Sequence, residues 1–551
     1  MRRDNYPLNG AKRFETLPQC LEYMKTNYGG QTALTFFDED GEAKEWTFGQ
    51  FVADVDACME GLCVSGLTGT HMALISENCY EWVVAFFAVV CSGGTAVPID
   101  VEQTAEEIQK AVRHADCGAM IISETYELIL NAQKIPEHRF VIRRGGGTDS
   151  FDALLSLGRT GEYSQETERL AGVVQSSDQA LIVYTSGTTN TAKPVVLTHG
   201  NLMYNAWGAL AMVDVGTRVF TPLPFYHTYA LTCGMLGCLA QGIHFSSNGF
   251  LKTMMRDIRR FEPETLISVP MITDNLLKAI TMEERKAGVR DAVKTVQEKA
   301  MRRKKWHMKV KSQRNQYVDK IVGKKLSLII SGGAHLNDRS AEELEVYGIQ
   351  VLQGYGITEC GPLISANRNG LNKIKSVGLV LPETEIKFAG GEILVKGPSV
   401  FPRYYKAEGL TKEALVNGWF HTGDIGYMDK KGFLYICGRK KNLIVFSNGK
   451  KVVPEELERY LSALPLIKEV MVYGASSGQT ADEVTLSAMV YPDPDATREM
   501  SSFEILEKIQ EDMSELNKNL PLYKRVQSIK LTEAEFGKTG IRKIKRNEVS
   551  L

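Results

Sequence analysis

The stretch Tyr184-Thr185-Ser186-Gly187-Thr188-Thr189-Asn190-Thr191-Ala192-Lys193 gathers hydroxyls, a glycine and a lysine directly after the apolar run Ala180-Leu181-Ile182-Val183-Tyr184. The run reads as a buried strand, and the residues after it have the chemistry of a loop that holds a nucleotide's phosphates. A glycine lets the backbone come close to a polyphosphate, free N–H groups and Ser/Thr hydroxyls donate to its oxygens, and lysine supplies a point charge. It is not the common phosphate loop ending in Gly-Lys-Ser/Thr, because Ala192 precedes Lys193 and Pro194 comes directly after it. On residue types alone, a Ser/Thr/Gly surface turn is an equal reading.

Other clusters come later in the chain. They are Leu223-Pro224-Phe225-Tyr226-His227, Ser331-Gly332-Gly333-Ala334, Gln353-Gly354-Tyr355-Gly356-Ile357-Thr358-Glu359, Trp419-Phe420-His421-Thr422-Gly423-Asp424, Gly438-Arg439-Lys440-Lys441-Asn442, and a basic stretch from Glu535 to Lys545. Each has a plain structural reading by itself. Thr358-Glu359 alone fits a helix cap, and Asp424 alone fits a turn before Gly426. Together and in this order they resemble the motifs of the adenylate-forming superfamily, which includes acyl-CoA synthetases, luciferases and peptide-synthetase adenylation domains. The resemblance covers nearly the whole chain, and is least diagnostic over the first 30 or so residues and over 281–320.

That resemblance implies a chemistry. A carboxylate repels nucleophiles, and joining it to AMP replaces its poor leaving oxygen with a good one. The step requires ATP, a magnesium ion and charge neutralisation along the triphosphate. By resemblance, Thr185, Ser186, Gly187, Thr188, Thr189 and Lys193 hold phosphates, and His227 stands in the catalytic histidine motif. Gly332, Gly333 and Ala334 form the adenine-site turn. Gln353, Gly354, Tyr355 and Gly356 bind the nucleotide, with Tyr355 stacked on adenine and the glycines beside it allowing close approach. Thr358 contacts phosphate and Glu359 holds the metal, consistent with magnesium's preference for carboxylate and phosphate oxygens. Asp424 accepts from both ribose hydroxyls, and Arg439 lies in the hinge motif. Lys543 stabilises the transferring α-phosphate. Lys441 marks a hinge about which a small domain rotates to admit a thiol, and Gly449 lets pantetheine pass.

The chain departs from the family pattern in places. Asn190 replaces a glycine, which is mild because Asn tolerates positive φ. Ala192 and Pro194 exchange the usual residues around Lys193. Arg542 stands where glycine is usual, so Lys545 stays open as an alternative to Lys543.

An amino-acid activator would carry an aspartate after the aromatic motif, and Thr228-Tyr229-Ala230 has none; no carrier-domain motif comes after the lysine motif either. No cysteine sits in a nucleophile motif, and Cys360 reads as a packing residue. The thiol is therefore external, coenzyme A or an acyl carrier protein. The segment between His227 and Gly242 is apolar and looks most like the long-chain fatty acyl branch. Medium-chain, long-chain and aromatic acids remain open, as does a non-catalytic nucleotide sensor.

These residues need rigid elements beneath them. Ala73–Ser76, Ala96–Ile99 and Ala119–Ser123 read as strands and Ala105–His114 as a helix; such alternation implies parallel, helix-covered sheets. Similar units recur in 181–277 and 326–365. Glu385–Phe388 and Glu392–Val395 flank Ala389-Gly390-Gly391, a hairpin signal, so a small antiparallel region is expected over 378–396. After Arg439 the pattern predicts a compact α+β unit. Its helices are Pro454–Leu464 and Ser502–Asn517, and its strands Val470–Tyr473, Leu486–Val490 and Val526–Leu531. The expected division is 1–438, an adenylating domain, and 439–551, a small mobile domain.

The chain has 551 residues, more than one core can organise. A net charge of −1 gives no pull toward nucleic acid. Ten cysteines without a C-x-x-C pair argue against a zinc site or disulfide framework. No secretion signal is visible after Met1, and the longest apolar run, Trp82–Cys91, is too short to span a bilayer. A cytoplasmic enzyme is expected. Residues 281–325 carry fifteen Lys/Arg against five Asp/Glu. They read as a solvated helical excursion, with weak peripheral membrane contact through 299–311 as the alternative.

Overall fold

The fold is described from a computed structural model, which describes residues 8–130, 136, 138–142, 147–160, 164–185, 192–305, 311–446, 450–476, 484–537, 544 and 546. Two sheets carry the larger part of the chain. In the first, strands Gln179–Thr185, Thr95–Pro98, His71–Ile75, Ala119–Ser123 and His138–Ile142 lie side by side and parallel. Lys193–Thr198 and Arg403–Tyr404 extend that sheet antiparallel at one edge. The second sheet has nine strands, parallel from Gln350–Gly356 through to Thr32–Phe37. It is closed by antiparallel partners at both ends. The expected parallel, helix-covered α/β architecture is present, with antiparallel edge strands that the alternating pattern did not announce.

Helix Tyr80–Cys91 is buried at every residue but Glu81, as befits a run with almost no polar face. It packs on strands His71–Ile75 and Thr95–Pro98, and its Trp82 ring stands 5.2 Å from Phe225. Helix His199–Met212 touches strands of both sheets, and its start is fixed by a capping box between Thr198 and Asn201. Two buried amides tie these layers together. Asn78 donates to Leu223 O at 2.9 Å and to Ser247 Oγ at 2.8 Å, and accepts from Phe225 N–H at 2.9 Å. Asn205 donates to Cys360 O and Leu363 O, both at 3.0 Å, and accepts from Leu363 N–H at 2.9 Å. Each amide therefore satisfies backbone groups that a turn leaves unpaired inside the core.

The third sheet is small and antiparallel. Its hairpin Glu385–Ala389/Glu392–Lys396 matches the predicted one, and Trp419–Met428 and Leu434–Arg439 complete it. Beyond it, residues 452–531 pack a hydrophobic cluster of their own around Val472, Leu486, Val490 and Ile509. Helix Pro454–Leu461 begins at its proline and stops three residues before the expected end. Pro465 disfavours helical geometry at Leu464. The last strand is Ser528–Leu531 rather than Val526–Leu531. Val526 spends its backbone on the Asn517 amide, donating at 3.1 Å and accepting at 2.8 Å. Cys360 is fully buried, in keeping with a packing role. No helix among the described residues is long and apolar enough to cross a membrane.

The basic segment is helical, as expected, but it is pinned rather than merely solvated. Helices Pro270–Lys286 and Arg290–Lys305 meet over Glu284, whose side chain is 0% exposed. Arg290 donates to Glu284 Oε2 and to Gln297 Oε1, both at 3.0 Å, while Tyr347 and Asn315 donate to Glu284 Oε1 at 2.7 and 2.9 Å. The pattern of surface charge hid this because one buried acid among many lysines leaves no periodic trace. Removing one partner of a buried pair strands the other charge. Arg290→Met is therefore expected to lower unfolding free energy by about 3–5 kcal/mol, read as a shift of the urea midpoint. An unchanged midpoint would show that this helical segment is not coupled to the core.

Candidate active site

The described residues of the predicted motifs contribute to a single cleft of about 2310 Å³, walled by the two large sheets, the antiparallel sheet and the C-terminal unit. Thr185 and Lys193 face each other at the open end of the hairpin Gln179–Thr185/Lys193–Thr198, where Lys193 N–H donates to Thr185 Oγ1 at 3.4 Å. Ser186, Gly187, Thr188 and Thr189 lie outside the described residues. Pro194 sits in register opposite Tyr184 and gives its carbonyl to Tyr405 N–H at 2.8 Å. The Lys193 ammonium lies over the Tyr404 ring, 5.2 Å from its centroid.

His227 closes a turn, its N–H donating to Pro224 O at 3.1 Å, just before the buried π-helix Tyr229–Leu236. It lines the cleft, and its Nε2 is buried with no hydrogen-bond partner among the described residues. Burial pushes the imidazole below its ordinary value, outweighing the opposing pull of Asp100. Gly332, Gly333 and Ala334 extend from strand Leu328–Ser331 onto the cleft wall. Gly333 has φ +83°, which suits glycine alone, and a Cβ on Gly332 would stand 3.2 Å from the Tyr229 ring.

Strand Gln350–Gly356 turns through the short 3₁₀ segment Thr358–Cys360 into Leu363–Ala366. Gln353 donates its side chain to Ile374 O. A Cβ on Gly356 would collide with Pro362 O. This glycine is thus required by the chain's own hairpin, a nearer reason than approach to a base. Tyr355 donates to Asp424 Oδ2 at 2.6 Å. Asp424 is not a turn residue; it lies within strand Trp419–Met428, 3% exposed and in register opposite Arg439. Its Oδ1 meets Arg439 Nε at 2.7 Å.

Glu359 is 7% exposed and accepts at Oε1 from the Tyr404 hydroxyl at 2.8 Å. Among the described residues no group of three His, Cys, Asp or Glu side chains gathers to hold a metal. A lone carboxylate suits magnesium, which takes one or two carboxylates and completes its shell with phosphate oxygens and water. Lys441 occupies the 3₁₀ turn Lys440–Asn442. Burial, then the like charges of Arg439 and Lys193, push its ammonium below the ordinary lysine range. Lys193 and Lys441 line the same cleft together with Arg439, which is already paired with Asp424. Gly449, Lys543 and Lys545 lie outside the described residues. Arg546, three residues past Lys543, bonds Val472 O at 3.1 Å and Glu458 Oε1 at 2.5 Å.

Some residues here escaped sequence reading. Glu392, 4% exposed, accepts from Lys440 Nζ at 2.7 Å and from Gly423 N–H at 3.1 Å. Burial opposes its charge, but Lys440 and the Gly423 N–H bring it net below the usual carboxylate range. It opens the second strand expected of the hairpin, and only the fold shows that it faces inward. Tyr404 was one aromatic among several, with no local signal for its partner.

The AMP-binding enzyme family matches residues 21–405, and the AMP-binding enzyme C-terminal domain matches residues 441–550. A long-chain-fatty-acid–CoA ligase of Mycobacterium bovis is 29% identical over 484 residues, 83% of this chain and 79% of that protein. The long-chain-fatty-acid–CoA ligase of Escherichia coli is 28% identical over 541 residues, 88% of each chain. Among solved structures, the anthranilate CoA ligase in complex with anthranoyl-AMP shares the fold with a TM-score of 0.76 at 19% identity, covering 100% of this chain and 98% of that one. The O-succinylbenzoate coenzyme A synthetase of Bacillus subtilis, in complex with AMP, does so with a TM-score of 0.72 at 22% identity, covering 97% and 98%.

The buried imidazole of His227 has a measurable consequence. Its charged form loses hydration that the neutral form does not need, so the proton leaves at lower pH. In a histidine-labelled sample its NMR resonance, identified by loss in His227→Gln, is expected to titrate below the ordinary value of 6.5. A midpoint at or above that value would contradict the burial.

Proposed function

The chain belongs to the AMP-binding enzyme family and is an acid–thiol ligase, and from that premise we propose that it joins a medium- to long-chain fatty acid to coenzyme A. ATP and the carboxylate give acyl-AMP and pyrophosphate; the thiol then displaces AMP to give the thioester. The observation that carries the reading is one continuous cleft with two kinds of wall. One holds Lys193, Arg439 and Lys441 close enough for their charges to interact. The other is lined by Ala209, Leu210, Val213, Val215, Leu223 and Ile267, all apolar and buried. A triphosphate suits the first and an alkyl chain the second.

In this reading Thr185, Ser186, Gly187, Thr188, Thr189 and Lys193 embrace the phosphates, and Thr358 touches phosphate. Gly332, Gly333, Ala334, Gln353, Gly354, Tyr355 and Gly356 form the adenine side. Each Asp424 oxygen already serves one donor, but a carboxylate offers about four acceptor sites, so the ribose hydroxyls still find acceptors there. Glu359 would hold magnesium, which when bound neutralises charge on the triphosphate. His227, whose Nε2 has no partner among the described residues, would face the carboxylate end. Lys543 would supply the cation for the α-phosphate, Lys441 the hinge and Gly449 the pantetheine passage, with domain division near 438/439. An acyl carrier protein as thiol acceptor is the alternative that the same chemistry allows. A cytoplasmic site of action, with weak membrane contact through 299–311, fits an apolar substrate. Arg302 and Arg303 are exposed there.

Pyrophosphate exchange across a panel from acetate to oleate and benzoate is expected to be strongest with fatty acids. No exchange with any carboxylate would leave a nucleotide-binding protein without this activity. Trapping with coenzyme A and with acyl carrier protein in parallel identifies the acceptor.

A second test separates the half-reactions. Lys543→Ala should abolish adenylation while sparing thioester formation from supplied acyl adenylate, because the charge it stabilises is gone by then. Lys441→Pro should slow thioester formation from supplied acyl adenylate well beyond Lys441→Ala, which removes only the cation, since proline locks φ at the hinge. If Lys545→Ala shows the selective loss instead, the catalytic lysine is Lys545. If neither does, the domain-alternation reading fails.

A further inference from the structure

Tyr404 touches two residues that the proposed function uses for different ends. Its side chain is 2% exposed. Its hydroxyl donates to Glu359 Oε1 at 2.8 Å, and its ring face lies 5.2 Å from the Lys193 ammonium. The backbone around it is stitched on both sides. Strand Arg403–Tyr404 pairs with Lys193–Thr198, placing Tyr404 opposite Val195, and Phe401 N–H donates to Glu359 O at 2.8 Å. The Phe401 ring, 4.7 Å away, packs against the phenol.

This geometry does more than fill space. A carboxylate with one oxygen held by a buried phenol has its other oxygen aimed in one direction, and a hydrogen bond to a charged acceptor is among the stronger ones. The electron-rich ring face favours a cation above it. One rigid side chain thus links an anion and a cation that come from different sheets. We propose that Tyr404 is a positioning residue that presets Glu359 and Lys193 as a pair, so that a divalent cation and the triphosphate it accompanies meet both without rearrangement. The inference rests on Glu359 as the magnesium carboxylate. It adds an assignment for a residue outside the recognised motifs.

The test uses the full chain, ATP, and Mn²⁺ as a spectroscopic stand-in for magnesium. Tyr404→Phe keeps the ring and removes only the hydroxyl. ATP binding in EDTA, measured by calorimetry, is expected to stay unchanged, because the ring under Lys193 remains. Mn²⁺ binding to the protein–ATP complex, read by electron paramagnetic resonance, is expected to weaken about 10-fold or more, the usual cost of losing a partner that orients a ligand. In a Glu359→Gln background the same substitution should change nothing further, since the hydroxyl acts through the carboxylate. Tyr404→Leu removes ring and hydroxyl and should weaken both measurements. Unchanged Mn²⁺ affinity in Tyr404→Phe, or an equal loss in both backgrounds, overturns the proposal while leaving Glu359 as a metal ligand. If Glu359→Gln alone leaves Mn²⁺ affinity unchanged, the metal reading itself is wrong. Should Tyr404→Phe lose its cooperative melt, 3-fluorotyrosine at position 404 keeps the shape and strengthens the donor. A shift in Mn²⁺ affinity with metal-free ATP binding constant is then expected, and no shift overturns the proposal.

Discussion

Two buried carboxylates, Asp424 and Glu359, hold three sheets in register at the cleft. A carboxylate taken out of water must be met by donors or it becomes a liability of several kcal/mol. Here each carboxylate takes at least one donor from another layer. Asp424 belongs to the antiparallel sheet and is satisfied by Tyr355 of the nine-stranded sheet and by Arg439, at 2.6 and 2.7 Å. Glu359 lies just past a strand of the nine-stranded sheet and is satisfied by Tyr404 of the seven-stranded one at 2.8 Å. Burial therefore forces the sheets to converge, and the gap left between them is the cleft.

Deeper in the molecule the same logic is carried by neutral groups. Asn205 lies on a helix buried between the sheets and feeds both ends of its amide into the turn behind Glu359. Asn78 does the corresponding work beneath Leu223 and Phe225, just ahead of His227 in the chain. Neither residue touches the cleft chemistry through charge. They fix backbone, and the backbone aims the side chains that the chemistry uses.

Charge alternates along the segment that leaves the antiparallel sheet toward the C-terminal unit. Arg439, the last residue of strand Leu434–Arg439, pairs with Asp424 of the neighbouring strand, Lys440 pairs with Glu392, and Lys441 next to them faces like charges instead. Successive residues of one short segment thus experience opposite fields. The first two cations are neutralised by buried acids, and the third lines the cleft.

Much of this was legible in the chain. A short apolar run marked strand Ala119–Ser123 and helical periodicity marked Ala105–His114, both to the residue, because strand and helix periods are local properties. The hairpin around Ala389-Gly390-Gly391 came from turn chemistry, and the ordered motifs located the cleft wall. Other features depend on residues far apart in sequence. Pairing Tyr404 with Glu359 spans 45 residues and Tyr355 with Asp424 spans 69. Arg290 reads as one more basic residue until Glu284 and Tyr347 close around it. Glu392 reads as the first residue of a hairpin strand, with nothing to say which way it faces, until the sheet turns it inward. A sequence declares what each residue prefers locally. Which carboxylate is buried, and which donor reaches it, is decided only when the sheets pack, because desolvation belongs to the assembled surroundings and not to any stretch of chain.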